Sequence, residues 1–148
     1  MANSNAITQY KEEKIMIKLF IGAKGSGKTK TLIELVNSAA STSKGSVVCI
    51  EKGDKLIHDV TYKARLIDTD DYSVYDAEAL YGFIAGILAS NSDITDVFVD
   101  SALKICGNDV ESFEKMLGKL EAISKDVNLV MTSSIPVEEC PAGIKAYV

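Results

Sequence analysis

The sequence has few of the residues that several kinds of specialised site require. Its 148 residues include one histidine and one arginine, Arg65, and its three cysteines form no closely spaced pair. A disulfide scaffold, a zinc site and a catalytic transition-metal site are therefore not expected, because each needs clustered cysteine or histidine. No apolar run reaches the roughly 18–20 residues of a membrane-spanning helix, and the polar first 14 residues lack the apolar core of a secretion signal. We expect a soluble cytoplasmic protein with no membrane partner.

The charge balance disfavours a nucleic-acid partner on electrostatic grounds. Asp and Glu number 21 against 16 Lys and Arg, which gives a formal net charge of −5. Such a chain has no bulk attraction for phosphate backbones or anionic lipids. Its length fits one domain, and 47% hydrophobic residues are enough for a core. We predict a domain over residues 16–148, preceded by an extension at residues 1–15 that is either flexible or a short helix.

Short β-rich segments alternate with longer helical patterns, which is typical of an α/β domain with a mainly parallel sheet. Strands are predicted at residues 15–21, 47–50, 96–100, 128–132 and 144–148, with a weaker candidate at 64–67. Helices are predicted at residues 28–40, 76–90 and 109–125. We place Leu35 on the sheet side of the first helix and assign Asn108 as the N-cap of the third.

A phosphate-binding pattern follows the first predicted strand. Residues 22–29, GAKGSGKT, match G-x-x-x-x-G-K-[ST] at every fixed position, between an apolar strand and a helix. The glycines let the backbone curl so that successive N–H groups point at phosphate oxygens, and the helix N-terminus adds partial positive charge. Lys28 is expected to bridge the β- and γ-phosphates, and Thr29 to give its hydroxyl to Mg²⁺. The candidate nucleotide-binding residues are Gly22, Ala23, Lys24, Gly25, Ser26, Gly27, Lys28, Thr29 and Lys30.

This motif resembles that of the P-loop NTPase superfamily. The superfamily's second element, an apolar strand that ends in aspartate, is matched by V-F-V-D at residues 97–100. The resemblance implies that Asp100 completes a magnesium site with Thr29 through a water molecule. In the additional-strand branch, which includes RecA-like and AAA-like ATPases, the next strand lies between the aspartate strand and the P-loop strand. Resemblance to this branch implies a three-layer α/β/α sandwich of about five strands in the order 5-1-4-3-2, with residues 128–132 in that inserted position.

The resemblance also suggests residues that act on the terminal phosphate. Thr132 and Ser133 end the inserted strand, where related proteins place a polar residue that senses the γ-phosphate. Many members have a glutamate directly after the strand aspartate, but this chain has Ser101 there. RecA-like proteins instead carry a glutamate at the end of the second strand, and Glu51 lies there, 23 residues after Lys28. Glu51 is therefore a candidate to orient the attacking water; the alternative is a surface glutamate that begins a turn.

Missing motifs narrow the expected function. Ras-type GTPases need D-x-x-G after the strand and N-K-x-D for guanine, whereas this chain has D-S-A-L at residues 100–103 and no N-K-x-D. ATP is therefore favoured over GTP by elimination. We expect a small stand-alone ATP-binding protein with slow Mg²⁺-dependent hydrolysis. A nucleotide-gated binding module with little hydrolysis is the alternative, and a small-molecule kinase is a third that the shortage of arginine disfavours. A protein partner or a homo-oligomer fits each of them.

Overall fold

The computed structural model describes residues 17–148, so the predicted extension at residues 1–15 lies outside the described residues. The strands are β1 Ile17–Ile21, β2 Ser46–Glu51, β3 Arg65–Asp68, β4 Ile94–Val99 and β5 Asn128–Ser133. The α-helices are α1 Lys28–Thr42, α2 Ala77–Ser90, α3 Ala102–Ile105, α4 Val110–Ile123 and α5 Ala142–Lys145. Short 3-10 turns lie at Thr69–Tyr72 and Val137–Glu139.

Within these residues the strands form one five-stranded sheet in the order β1-β5-β4-β2-β3. Every neighbouring pair is parallel, and the central strands are almost continuously apolar because both faces of the sheet are covered. The α/β fold class with a mainly parallel sheet is confirmed. The predicted position of β5 is also confirmed, since it pairs on one side with β1, the strand before the glycine-rich loop, and on the other with β4.

Helices cover both faces of the sheet. Val97 and Val99 of β4 belong to the larger apolar cluster with α2 and α4, whereas Phe98 belongs to a second cluster with Leu32 and Val36 of α1. Alternate residues of a strand point to opposite faces, so α1 covers one side and α2 with α4 covers the other. This arrangement is the expected three-layer sandwich. In the part of the chain that the structure describes, no helix has the length and apolar character needed to cross a membrane.

The observed strand order differs from 5-1-4-3-2 because residues 144–148 do not form the last strand. Pro141 starts a helical turn, α5, whose Ile144 is fully buried in the larger cluster. Proline is well suited to a helix start, and a short apolar segment can be helix or strand when its periodicity is too brief to decide. The chain end still meets β1, since Leu19 N donates to Tyr147 O at 2.8 Å. The weaker candidate at 64–67 forms the opposite edge strand, β3, shifted by one residue.

Two local predictions about the helices are wrong. Leu35 is 37% exposed, because α1 buries only the narrow stripe of Leu32 and Val36. The cap of α4 is Asp109, whose Oδ1 accepts from Ser112 N at 3.2 Å. Asn108 precedes the cap in a left-handed conformation with a φ of 62°, which leaves Asp109 with the extended backbone that an N-cap requires.

Helix α4 is held against the sheet by four buried side chains, of which Phe113 gives a stability prediction. Phe113 is fully buried in the larger cluster, so we expect Phe113→Ala to lower the free energy of unfolding by about 3–5 kcal/mol. Val110→Ala changes an exposed residue of the same helix and should stay within about 0.5 kcal/mol of the wild type. Urea denaturation followed by circular dichroism measures both. Equal losses in the two variants would contradict this placement of the core.

Candidate functional site

A cavity of about 700 Å³ lies at the edge of the sheet where β1, β2, β4 and β5 end. Parallel strands place their carboxyl ends at the same edge, and the loops that follow them build the cavity. Most of the predicted site residues line it: Lys24, Gly25, Gly27, Lys28, Thr29, Lys30, Glu51, Asp100 and Thr132. Of the remaining predicted residues, Gly22, Ala23 and Ser26 belong to the same loop and are not part of the lining. Ser133 is fully buried outside it.

The loop at residues 22–27 has three glycines with a positive φ: Gly22, Gly25 and Gly27. Gly27 has a φ of 90°, which L-residues rarely adopt, directly before α1. A Cβ at Gly22 would lie 2.7 Å from Ser26 Oγ, so any larger residue would displace that side chain. No side chain caps α1, so the first backbone N–H groups of this helix have no side-chain acceptor. Such a helix end is suited to bind an anion.

Lys28 is positioned by the loop itself. Its Nζ donates to Gly22 O at 3.1 Å, to Ala23 O at 2.9 Å and to Ser26 Oγ at 3.2 Å. These three oxygens fix the ammonium group beside the curled backbone. The loop therefore gathers a full positive charge and the partial charge of a helix N-terminus at one end of the cavity.

Asp100 connects the loop to the sheet. Its Oδ1 accepts from Thr29 Oγ1 at 3.1 Å and from Thr132 Oγ1 at 2.9 Å, and its backbone N donates to Ile50 O at 2.8 Å. A threonine hydroxyl and an aspartate carboxylate are hard oxygen ligands of the kind that Mg²⁺ takes. Residues 17–148 contain no group of three acidic, cysteine or histidine side chains able to hold a metal alone. Thr29 and Asp100 thus fit a magnesium ion that shares its coordination with phosphates, as such ions usually do.

A short helix that the sequence did not reveal follows Asp100. Ser101 turns the chain from β4 into α3 with a left-handed φ of 56° and ψ of 48°. Its backbone N donates to Thr132 Oγ1 at 2.8 Å, and Leu103 N donates to Ser133 Oγ at 3.2 Å. A four-residue helix is too short to leave a periodic pattern, so no signal in the sequence could have found it.

Glu51 ends β2 and is only 2% exposed, so it is not the surface glutamate of the alternative interpretation. Its Oε1 accepts from Lys55 N at 3.0 Å and its Oε2 from Leu56 N at 3.1 Å, so the side chain does fix the turn that follows. Burial raises the pKa of Glu51. The nearby charges of Asp100 and Asp68 raise it further, against the opposing effect of the two backbone N–H groups.

The cavity also contains residues that the sequence reasoning missed. These are Lys52, Lys55, Leu56, Ser101, Leu103, Lys104, Asn108 and Ser134. Together with the loop they place six lysines and only two acids, Glu51 and Asp100, around one cavity of an acidic chain. The sequence alone could have placed Lys52 and Lys104 at this cavity, because they follow the ends of two strands, β2 and β4, that meet at this edge. Lys52 is held in place by an ion pair with Asp70 at 2.6 Å.

Comparison with known proteins supports the fold. No protein-family model and no curated protein matches the sequence. The solved structure of C. elegans PCH-2 superposes with a TM-score of 0.54 at 13% identity, over 99% of this chain and 39% of that one. The chain has a P-loop NTPase-like fold. The monomer form of the pCW3 conjugation coupling protein TcpA with ATPγS matches less well, with a TM-score of 0.44 at 16% identity, over 91% of this chain and 47% of that one. The chain therefore spans less than half of either structure.

The raised pKa of Glu51 predicts a specific pH dependence of stability. A carboxyl group whose pKa is raised on folding contributes stability below its ordinary pKa of 4.5, and this contribution is lost as the pH rises through the folded pKa. Glu51→Gln removes the titration while keeping one acceptor oxygen. We expect the wild type to lose stability relative to Glu51→Gln as the pH rises above 4.5, as measured by urea denaturation. A difference that does not change with pH would contradict the assignment.

Proposed function

We propose that this chain binds ATP with Mg²⁺ in the cavity and hydrolyses it slowly. The hydrogen bond from Thr29 Oγ1 to Asp100 Oδ1, 3.1 Å long, is the observation that supports the proposal most strongly. It joins the first turn of the helix after the loop to the end of the strand that carries the aspartate. A glycine-rich turn without a ligand would have no need for this connection across 71 residues of sequence.

The phosphates have a complementary surface at the loop. The backbone N–H groups around Gly25 and Gly27 and the uncapped start of α1 would bind the phosphate oxygens. Lys28 would exchange its loop oxygens for the β- and γ-phosphates, and the flanking Lys24 and Lys30 add positive charge. Backbone amides fix the position of a phosphate, whereas lysines act on it as point charges.

Thr29 and Asp100 would hold the magnesium ion. When bound, the ion neutralises charge on the β- and γ-phosphate oxygens. Asp100 is only 9% exposed and is fixed by two hydroxyl donors. The carboxylate is therefore oriented before a ligand arrives, which reduces the reorganisation that binding costs.

Glu51 would orient the water that attacks the terminal phosphate. Its carboxylate lines the cavity and is fixed by the amides of Lys55 and Leu56. A pKa raised by burial makes it a stronger base than an exposed glutamate at neutral pH. The absence of a second glutamate at Ser101 supports slow rather than fast hydrolysis.

A nucleotide-gated binding module is the second candidate function. The bonds from the turn to Glu51 support it, because a carboxylate that already accepts from Lys55 N and Leu56 N has less capacity left for water. In this version ATP binding changes the affinity for a protein partner or a second copy of the chain. ATP is preferred over GTP in both versions, because no guanine-binding motif is present.

Binding is tested by titration with fluorescently labelled ATP and GTP. Lys28→Ala should weaken ATP binding about 10- to 100-fold, because it removes charge-assisted hydrogen bonds to phosphate. Lys63→Ala, an exposed lysine outside the cavity lining, is the matched control and should bind as the wild type does. ATP should bind more tightly than GTP. Binding that is unaffected by Lys28→Ala would refute the site.

Hydrolysis is tested by phosphate release with and without Glu51→Gln. Loss of a general base lowers rates by about 10²–10⁴-fold, so we expect at least a 100-fold slower release with ATP affinity nearly unchanged. Release no faster than that of Lys28→Ala would exclude the ATPase and favour the gated module. Phosphate transfer to a small acceptor in place of water would favour the kinase.

A further inference from the structure

Lys52 differs from the other lysines around the cavity because it already has an acidic partner. Its Nζ lies 2.6 Å from Asp70 Oδ1 and 5.3 Å from the centre of the Tyr75 ring. Within residues 17–148, no other lysine of the cavity lining forms an ion pair. The hydrogen bond to Asp70 raises the pKa of Lys52, so this contact favours the charged ammonium group. The positive charge is thus paired with a group outside the cavity lining, to which neither Asp70 nor Tyr75 belongs.

The Asp70 side of this ion pair is fixed by contacts of its own. Asp70 lies in the 3-10 turn Thr69–Tyr72, and Asp68 Oδ1 caps that turn by accepting from Asp70 N at 2.9 Å. The same oxygen accepts from Gly53 N at 2.8 Å, which ties the turn to the residue that follows Lys52. These backbone contacts do not involve the Lys52 side chain, so they would hold the turn in place if that side chain moved.

Lys52 can change partners at small cost. Lysine carries its charge on a flexible stem of four carbons, and the two side chains of the pair are 31% and 41% exposed. An ion pair at this exposure contributes little to stability, because water and salt screen it. Lys52 also lines the cavity, directly after Glu51 at the end of β2. An anion with several charges in the cavity can therefore compete with the single carboxylate of Asp70 for this ammonium group.

We propose that Asp70 is an internal competitor of the ligand, and that Lys52 passes from Asp70 to the phosphates when a nucleoside triphosphate binds. The proposal rests on the function proposed above and specifies how that site is regulated. Asp70 lowers the affinity for the ligand, because each binding event breaks the ion pair. Binding also removes the ammonium group from the ring of Tyr75, an exposed residue outside the cavity lining. Occupation of the cavity thereby changes the surface that follows β3.

The competition is tested by the affinity for MgATP of Asp70→Asn, which removes the charge and keeps the size of the side chain. ATP should bind about three- to fivefold more tightly, because Lys52 no longer has to leave a carboxylate. A loss of fold would weaken binding, so it could not produce this result. Asp71→Asn is the matched control, since Asp71 is exposed and forms no ion pair within residues 17–148. It should change the affinity by less than about twofold, because an exposed charge is screened.

The part of Lys52 is tested by combining two substitutions. Lys52→Gln should weaken ATP binding at least about fivefold, and Asp70→Asn added to Lys52→Gln should give no further change, because the two residues act on one contact. An equal gain from Asp70→Asn with and without Lys52 would overturn the proposal, since it would be a general effect of charge. A wild-type affinity in Asp70→Asn or in Lys52→Gln would overturn it as well.

The ring-proton signals of Tyr75 in nuclear magnetic resonance report on the position of the ammonium group. In the wild type, MgATP should shift these signals towards their positions in Lys52→Gln, and in Lys52→Gln itself MgATP should leave them unchanged. A wild type that binds ATP while the Tyr75 signals stay in place would overturn the exchange of partners without affecting the proposed function. A wild type that binds no ATP would overturn the proposed function and this proposal together.

Discussion

The carboxylate of Asp100 is the point on which the site depends, because it ties together elements that are distant in sequence. Thr29 of α1 and Thr132 of β5 donate to the same oxygen, and the backbone N of Asp100 donates to Ile50 O of β2. The three contacts are possible only because all strands are parallel and end at one edge. Loss of this carboxylate would leave the two hydroxyls without their shared acceptor and would remove the side-chain link between α1 and β5.

Two buried acids, Glu51 and Asp100, lie at the same edge of the sheet, and the lysines around the cavity oppose their negative charge. The charge of Asp100 contributes to the raised pKa of Glu51, which is the expected sign for neighbouring carboxylates. Lys28 and the five other lysines around the cavity oppose this negative charge. Charges act more strongly on one another in a partly enclosed site than in water. The site therefore favours a ligand that carries both signs, as a polyphosphate with a cation does.

The parts of the site that could be predicted are those whose spacing is short and fixed. The loop at residues 22–29 and the apolar strand before Asp100 are contiguous motifs, so their chemistry can be inferred without tertiary information. The strand order near β5 followed from the resemblance. Residues 144–148 were wrongly predicted to form a strand, because five residues are too few to show whether the apolar pattern is that of a helix or a strand. The burial of Ile144 in the larger cluster decides their conformation. Which hydroxyl of β5 meets the cavity depends on the register of a strand with its neighbours, which no local pattern contains.

Glu51 shows how one carboxylate can have a structural and a chemical role at once. An ionised carboxylate has about four acceptor positions, and the amides of Lys55 and Leu56 make three hydrogen bonds to its two oxygens. One position remains for a water molecule, and the amides fix the direction in which it points. The amides also lower the pKa that burial raises. The turn that carries Lys52 and Lys55 therefore sets the orientation of this carboxylate. The slow hydrolysis and the nucleotide gating that we propose both depend on this contact, because it orients the carboxylate and also uses most of its acceptor positions.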